Sequence, residues 1–319
     1  MTENLKSKVI NGYPVTKQEA LSLFDEDIDK LTLYADEIRK KFCGDSFDVC
    51  SIINGKSGRC SEDCKYCAQS AYYKTNVREY PLLSANSIVS EALHNYNKRI
   101  ARFSIVTSGR KLSDDEISGV CGVYKKIKET CRIKLCASHG LLSYEQLVKL
   151  KESGVSRYHC NIETSKKNFS SVCTTHTYED KINTIKNAKK AGLEVCSGCI
   201  IGMGETAEDR VDIMFDLRKM DIKSVPVNVL NPIKATPYEN NAVLTDDEVR
   251  RTIAVFRFVL PKAMIRLAGG RELLSNKGKN MFGCGANATI SGDMLTTQGI
   301  SIDEDIKTIS QLGFKVQKS

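Results

Sequence analysis

The sequence contains no tryptophan, no low-complexity segment and no apolar run long enough to span a bilayer. Its longest apolar stretches, such as IAVFRFVL, are far shorter than the roughly 20 residues of a membrane helix. The first residues, MTENLKSKVINGYPV, lack the apolar core of a secretory signal peptide. We therefore expect a cytoplasmic location and no membrane partner.

Positive charge is not concentrated in any one segment. The chain has 47 lysines and arginines against 39 aspartates and glutamates, but the excess is spread over pieces such as YNKRIARF, KNAKKAG and SNKGKN. A nucleic-acid-binding protein more often clusters its basic residues and interleaves aromatic ones. We therefore expect no nucleic-acid partner and interpret the charge as a solvated basic surface that favours anionic small molecules.

Cysteine, in contrast, is abundant, with 13 residues in a chain that shows no export signal. In a reducing compartment such cysteines are metal ligands or catalytic groups more often than a disulfide framework. Others pack as small hydrophobic residues. The spacing of the cysteines therefore decides which of them carry chemistry.

The order of predicted elements indicates an α/β fold. The segment TKQEALSLFDEDIDKLTLYADEIRKKF has helical periodicity. Eight short β-branched runs then alternate with amphipathic helical segments, at residues 47–53, 100–106, 133–137, 155–162, 194–201, 224–230, 264–267 and 286–290. This alternation predicts a (β/α)8 TIM-type barrel, with a doubly wound open sheet as the main alternative. We divide the chain into an N-terminal helical extension (1–45), the barrel (46–300) and a C-terminal tail (301–319).

The segment GRCSEDCKYCAQS, directly after the first predicted strand, places Cys60, Cys64 and Cys67 at the spacing C-x3-C-x2-C. The loops after barrel strands form the functional face of such a fold. A structural zinc site commonly takes four protein ligands, whereas three thiolates suit a 4Fe–4S cluster with one iron left open. Three unrelated core cysteines are a poor interpretation, because Glu62 and Asp63 make this loop polar.

This triplet resembles that of the radical S-adenosylmethionine (SAM) enzymes. The further segments TTHTYEDK, VCSGCIIGMGE, SVPVNVLNPIKATP, IRLAGGRE and GANATISGDMLTT, over residues 47–297, resemble the biotin synthase family. The resemblance implies that an electron from the cluster splits SAM to a 5′-deoxyadenosyl radical. It also implies dethiobiotin as the substrate, which gains a sulfur atom from an auxiliary iron–sulfur cluster. We further expect a small reducing electron-transfer protein as partner and a homodimer.

The resemblance implies roles for individual residues. For SAM it implies that Tyr66 lies beside the adenine and that Glu163 binds the ribose, where Asp is usual. It implies Lys181 for the SAM carboxylate, at a position where Arg is expected. It also implies that the strand end with Gly202, Gly204 and Glu205 passes close to SAM. For dethiobiotin it implies Asn161 and Asn228 on the ureido ring, and Thr296 and Thr297 on the carboxylate. YHCNIE is interpreted as a strand, so that His159, Asn161 and Glu163 share one face; no role is assigned to His159.

The auxiliary cluster is where the sequence departs from the family, which uses three cysteines and one arginine. Cys136, Cys196 and Arg266 match, but Ser104 stands at the third cysteine position and Cys50 stands where a serine is usual. We expect a cluster held by Cys50, Cys136 and Cys196, either 2Fe–2S or a four-iron cluster with extra sulfide. Cys284, judged by strand parity to point inward, Cys199 or Arg266 would complete it. The alternative is that Cys50 is a core residue and the second cluster is lost.

The other five cysteines, Cys43, Cys121, Cys131, Cys160 and Cys173, are interpreted as packing residues. Two alternative functions stay open at this point. One is a related radical SAM enzyme with another small substrate, such as a hydrogenase-cofactor maturase or a lysine-mutase-like enzyme. The other is a non-catalytic iron–sulfur electron carrier.

Overall fold

The centre of the fold is a ring of parallel β-strands. The computed structural model describes residues 2–317, so Met1, Lys318 and Ser319 of the predicted extension and tail lie outside the described residues. The strands are β1 (Ser46–Lys56), β2 (Arg102–Thr107), β3 (Lys134–Ser138), β4 (Val155–His159), β5 (Glu194–Cys196), β6 (Cys199–Ile201), β7 (Ser224–Val229), β8 (Met264–Leu267), β9 (Ala288–Ser291) and β10 (Lys315–Val316).

The ring closes because β1 pairs with β2 on one side and with β9 on the other, where Cys50 is in register with Ile290. The predicted (β/α)8 barrel is confirmed, and the open doubly wound sheet is wrong. Along β2 the side chains alternate: Phe103 and Ile105 are fully buried against the helices, while Ser104 points into the barrel. The strands therefore separate an outer apolar core from a more polar interior.

Two predicted strands differ from the observed ones. The run 194–201 is split into β5 and β6 at Gly198, where a Cβ atom would lie 1.8 Å from the backbone oxygen of Pro226. Only glycine allows the chain to approach β7 this closely. The run 155–162 ends early, because β4 stops at His159 and Glu163 has a φ of 65°. The prediction that YHCNIE is one continuous strand is therefore wrong.

The helices alternate with the strands as expected. They are α1 (Thr2–Ile10), α2 (Lys17–Ser22), α3 (Ile28–Cys43), α4 (Ala85–Asn97), α5 (Asp114–Thr130), α6 (Tyr144–Glu152), α7 (Phe169–Val172), α8 (Tyr178–Lys190), α9 (Ala207–Lys219), α10 (Asp246–Val259) and α11 (Ile302–Gln311), with 3-10 segments at Leu23–Asp25, Arg271–Leu273 and Ser275–Cys284. Thr206 and Thr245 cap α9 and α10 as their sequences predict, each closing a capping box with an acidic residue. No helix within residues 2–317 is both long and apolar enough to cross a membrane.

Both ends of the chain contact the barrel. In the N-terminal part, α3 packs against α10 through buried residues that include Leu31, Ala35 and Ile38. At the other end, β10 follows α11 and pairs with the beginning of β1, where Lys315 is in register with Ser46. The division of the chain into extension, barrel and tail stays a prediction.

Candidate active site within the barrel

A single cavity of about 400 Å³ occupies the barrel interior and opens toward the carboxyl ends of the strands. Most of the residues predicted for the site lie in its wall, namely Cys50, Cys60, Tyr66, Cys67, Cys136, Asn161, Glu163, Lys181, Cys196, Asn228, Arg266, Thr296 and Thr297. The barrel brings together residues that are up to 247 positions apart in the chain because strands β1 to β9 all contribute to the same interior. The side chains fall into three groups along the cavity.

The first group lies on the loop that carries the cysteine triplet. This loop closes on itself through backbone hydrogen bonds, from Ala71 N to Cys60 O at 2.8 Å and from Cys67 N to Cys64 O at 3.0 Å. Cys60 and Cys67 face the cavity, and Cys64 is buried behind it. Burial raises the pKa of Cys60, and it raises that of Cys67 to about 11. Three soft donors gathered on one ordered loop suit an iron–sulfur cluster.

Cys173 is a neighbour of this loop that the sequence analysis missed. Its sulfur lies 3.7 Å from that of Cys64 and 3.2 Å from Nδ1 of His176, which also contacts Glu62. The interpretation of Cys173 as a packing residue only is therefore incomplete. The polar run after it, Thr174 to His176, was the available signal, since such residues are unusual around a cysteine that merely fills a core.

Tyr66, Glu163 and Lys181 form the second group, beside the loop. The Glu163 carboxylate lies 3.6 Å from Lys181 Nζ, and its Oε2 atom is buried without a hydrogen-bond partner among residues 2–317. Burial lowers the pKa of Lys181, but Glu163 and nearby thiols raise it more, so the pKa is raised overall. Burial and Glu163 both raise the pKa of Tyr66. A buried carboxylate oxygen without a donor fits a ligand that supplies hydroxyl groups, as the ribose of SAM does.

The turn at residues 202–205 lies outside the cavity wall. The Glu205 carboxylate accepts hydrogen bonds from the backbone N–H of Gly202 and of Met203, both at 2.8 Å, and pairs with Arg210 at 2.8 Å. These contacts occupy a fully buried carboxylate, so Glu205 holds the turn, and its predicted contact with SAM stays a prediction. Gly202 and Gly204 have φ of 98° and 93°, as a tight turn requires. Their expected closeness to SAM stays a prediction.

The two asparagines of the cavity are held through their side-chain oxygens. Asn161 Oδ1 accepts from Gly198 N at 3.0 Å, and Asn228 Oδ1 accepts from Gly269 N at 3.0 Å. Asn228 Nδ2 also donates to the backbone oxygen of Cys199 at 3.0 Å. Because backbone N–H groups bind the oxygens, the orientation of both amides is determined; Asn161 has two N–H groups left for a ligand and Asn228 has one.

Thr296 and Thr297 lie on the loop that follows β9. The N–H of Met294 donates to the backbone oxygen of Thr297 at 3.0 Å, which closes a turn. Asn54, on β1, donates through Nδ2 to the backbone oxygen of Leu295 at 2.8 Å. The loop that carries the threonines is therefore fastened to the barrel rim.

The third group lies at the deep end of the cavity. Cys50 on β1, Cys136 on β3 and Cys196 on β5 all face inward, and Arg266 Nη1 lies 3.2 Å from Cys50 Sγ. Burial raises the pKa of Cys50 to about 12 and also raises the pKa of Cys136. Burial acts in the same direction on Cys196, but neighbouring His159 and the arginines outweigh it and lower the pKa of Cys196 to about 6.

Two cysteines that were expected to complete this group lie elsewhere. Cys199 is buried in the outer core, because its neighbour Ile200 is the residue of β6 that points into the cavity. Cys284 is the last residue of a 3-10 segment rather than part of a strand, and its thiol donates to the backbone oxygen of Asn280 at 3.2 Å. Its other neighbours are Thr32 and Arg250 on the outer helices. The expectation that either cysteine joins the auxiliary site is wrong.

Comparison with known proteins adds two family matches. The model of the radical SAM superfamily matches residues 56–217, and that of the Biotin and Thiamin Synthesis associated domain matches residues 226–315. A biotin synthase of Clostridium botulinum (strain Hall) is 58% identical over 311 residues, which cover 98% of this chain and 98% of the relative. A biotin synthase of Akkermansia muciniphila is 50% identical over 317 residues, or 99% of each chain.

Solved structures resemble the fold. The crystal structure of methylornithine synthase has a TM-score of 0.85 at 19% identity and covers 98% of this chain and 97% of its own. The FeFe-hydrogenase maturase of Carboxydothermus hydrogenoformans has a TM-score of 0.84 at 17% identity, with 99% and 79% covered. At these identities the two structures show a shared barrel and nothing about the substrate.

Proposed function

The chain belongs to the biotin synthase family of the radical SAM superfamily, and from that premise we propose how its residues divide the work between them. The reaction is the insertion of sulfur into dethiobiotin to give biotin. An electron carrier without catalysis and a different small substrate are thereby set aside. The first two groups of side chains would bind the cluster and SAM, the asparagines and threonines between them and the deep end would bind dethiobiotin, and the third group would supply sulfur.

At the mouth of the cavity, Cys60, Cys64 and Cys67 would hold the 4Fe–4S cluster, which supplies the electron that cleaves SAM. Glu163 would accept hydrogen bonds from the ribose hydroxyls through its unpartnered Oε2, which is the buried acceptor that fits them. Lys181, kept positively charged by Glu163, would face the carboxylate of SAM. A lysine makes one point contact where an arginine would make two, so this contact orients SAM less tightly.

In the middle of the cavity, Asn161 and Asn228 would donate hydrogen bonds to the ureido oxygen of dethiobiotin. Their oxygens are held by the N–H groups of Gly198 and Gly269, which turns the amide nitrogens, as donors, toward the ring. Thr296 and Thr297 would bind the carboxylate at the other end of the substrate. Dethiobiotin would thus lie between the SAM group and the deep cysteines, within reach of both.

At the deep end, Cys50, Cys136 and Cys196 would hold an iron–sulfur cluster that is consumed as the sulfur donor. The observation that carries this proposal is that Cys50 faces the same interior as the two matched cysteines. Register supports a changed cluster: Ser104 pairs with Ile52, two residues further along β1 than Cys50. The third thiol is therefore displaced along the strand by about 6.6 Å, at roughly 3.3 Å per residue. We propose that a site with one ligand displaced in this way holds a four-iron cluster with extra sulfide and not a 2Fe–2S cluster.

The proposal is tested by iron and sulfide content and Mössbauer spectra of the anaerobically reconstituted protein. We expect wild type to contain two clusters and Cys50→Ser to retain only the one that cleaves SAM, because a hydroxyl is a poor ligand for soft iron–sulfur clusters. Cys131→Ser, which changes a buried cysteine outside the cavity wall, is the matched control. If Cys50→Ser keeps both clusters and still makes biotin, Cys50 is a packing residue and the sulfur donor lies elsewhere.

Three further parts of this proposal concern the protein's surroundings. A small reducing electron-transfer protein would deliver the electron to the cluster loop, which lies at the open end of the barrel. The protein would act in the cytoplasm, where thiols stay reduced, and as a homodimer. Sedimentation of the reconstituted protein tests whether it is a homodimer. Its reduction by a flavin- or iron–sulfur-containing electron carrier tests the electron-transfer partner.

A further inference from the structure

We propose that Arg266 serves the auxiliary site as a hydrogen-bond donor to the Cys50 sulfur and not as an iron ligand, and that Asp48 is the positioning residue that holds it there. This inference rests on the auxiliary site proposed above. It assigns a role to Asp48, which the sequence analysis did not single out. It also leaves three cysteines as the only protein ligands of the sulfur donor.

The hydrogen bonds of Arg266 show that its terminal nitrogens act as donors at the auxiliary site. Its side chain is 2% exposed, and its Nη2 donates to Asp48 Oδ2 at 2.7 Å. Its Nη1 donates to the backbone oxygen of Thr289 at 2.6 Å and lies 3.2 Å from Cys50 Sγ. Both terminal nitrogens therefore present N–H groups to acceptors. Because both terminal nitrogens already donate to protein acceptors in this chain, Arg266 meets the Cys50 sulfur as an N–H donor.

Strand geometry explains why Asp48 can direct Arg266 toward Cys50. Asp48 and Cys50 are two residues apart on β1, so their side chains point to the same face. Arg266 is on β8, which is separated from β1 only by β9, and it is level with Asp48 because both are in register with Ala288. The carboxylate binds one terminal nitrogen, and this fixes the other terminal nitrogen against the sulfur. A rigid planar fork is suited to such a two-point arrangement.

Asp48 is the centre of a larger group of charges. Its side chain is fully buried, and its Oδ2 also lies 3.6 Å from Arg157 and 4.0 Å from Arg102. Those two arginines have a second carboxylate partner in Glu194, at the barrel's outer edge. Arg266 has no carboxylate partner other than Asp48 within the part of the chain that is described. Loss of the Asp48 charge should therefore release Arg266 more than the other two.

The chemical consequence concerns the sulfur of Cys50. Hydrogen bonds to ligand sulfurs and nearby charges tune iron–sulfur clusters, and outer contacts of this kind orient the ligands as well. An N–H donor withdraws electron density from the sulfur, which weakens the Fe–S(Cys50) bond. Three arginines with two carboxylate partners, Asp48 and Glu194, also leave the deep end with an excess of positive charge, which would suit three thiolates and a sulfide-rich donor.

The test compares wild type with Arg266→Met, Asp48→Asn and the double variant, all reconstituted as full-length protein. Resonance Raman spectra report the Fe–S(Cys) stretching bands of the auxiliary cluster. We expect Arg266→Met and Asp48→Asn each to shift one band to higher frequency, and the double variant to shift it no further, because both changes remove the same hydrogen bond. Asp305→Asn, which removes the acid of the buried Arg271–Asp305 pair outside the cavity wall, is the matched control and should leave the band unchanged.

Pulsed EPR of the reduced auxiliary cluster measures whether a nitrogen atom is bound to its iron. A strongly coupled nitrogen in wild type that is absent from Arg266→Met would make Arg266 an iron ligand and overturn the inference. A band shift in Arg266→Met without one in Asp48→Asn would overturn the role of Asp48. If Asp48→Asn does not fold, Arg266→Lys carries the test, since its ammonium can still donate and should shift the band less than methionine does. Absence of a second cluster from wild type would overturn the auxiliary site itself and this inference with it.

Discussion

Replacing Asn161 by aspartate tests which hydrogen-bonding groups the cavity presents to dethiobiotin. Asn161 Oδ1 accepts the backbone N–H of Gly198 at 3.0 Å, so the amide nitrogen is the part that faces the ligand. Aspartate keeps an oxygen for Gly198 but places a second acceptor where the donor was. Alanine loses both groups. The two variants therefore separate the contact with the ligand from the contact with the protein.

The magnitude follows from the group that is left without a partner. A buried acceptor that loses its hydrogen bond costs about 1–3 kcal/mol, which is about 5- to 150-fold in the dissociation constant. We expect Asn161→Ala to weaken dethiobiotin binding within this range. Asn161→Asp should weaken it at least as much, because its carboxylate would face the ureido oxygen and repel it. Affinity for SAM should change little in either variant.

Calorimetric titration of dethiobiotin into anaerobic, SAM-loaded protein measures these affinities. Asn95→Ala is the matched control, since Asn95 is a buried asparagine on α4 whose amide donates to Glu91 and lies outside the cavity wall. It should bind dethiobiotin as wild type does. An Asn161→Asp protein that binds as tightly as wild type would refute the reasoning, because the ligand would then be donating to position 161.

Further predictions concern the cysteine loop and the barrel wall. Cys64→Ala should abolish reductive SAM cleavage, measured as 5′-deoxyadenosine release; cleavage at the normal rate would remove Cys64 from the cluster. Cys173→Ala should make the reduction potential of the SAM-cleaving cluster less negative, because the Cys173 sulfur lies 3.7 Å from Cys64 and accepts from it, and Cys64 and His176 lower the pKa of Cys173 to about 4, so the variant removes a negative charge beside the cluster; Cys121→Ala should leave the potential unchanged. Burial lowers the pKa of His139 from 6.5 to about 3, so the unfolded chain binds the extra proton and stability falls as pH falls through this interval. Between about pH 7.5 and 5.5 the free energy of unfolding should fall by about 1.4 kcal/mol because of His139. Urea titrations of the cluster-free chain should show that His139→Gln lacks this part of the pH dependence. If the free energy of unfolding of His139→Gln falls as steeply with pH as that of wild type, the prediction is contradicted.

Local patterns in the sequence were enough to predict the architecture, and the family resemblance identified site residues of which most lie in the cavity wall. Alternating β-branched runs and capped helices predict a barrel because each strand and helix is specified by its own periodicity. The triplet Cys60, Cys64 and Cys67 is close in sequence, so its spacing alone indicates a shared cluster. The departure at Ser104 and Cys50 was also visible, since it concerns residue identity and not geometry.

Tertiary structure decided the questions that depend on where a side chain points. Cys284 shares strand parity with Ala286 only if the strand begins early, and the 3-10 segment before β9 turns its thiol outward. The Glu205 carboxylate accepts hydrogen bonds from the backbone of its own turn, and no spacing in the sequence reveals this.

Contacts between distant segments were beyond any local pattern. Cys173 meets Cys64 from 109 residues away, and Asp48 meets Arg266 from 218 residues away, because barrel closure brings these segments together. Periodicity assigns a residue to a face of its own strand or helix. The partner on another strand is determined only when the strands pair and the ring closes, so the hydrogen bonds and charges of the deep site exist in the folded barrel alone.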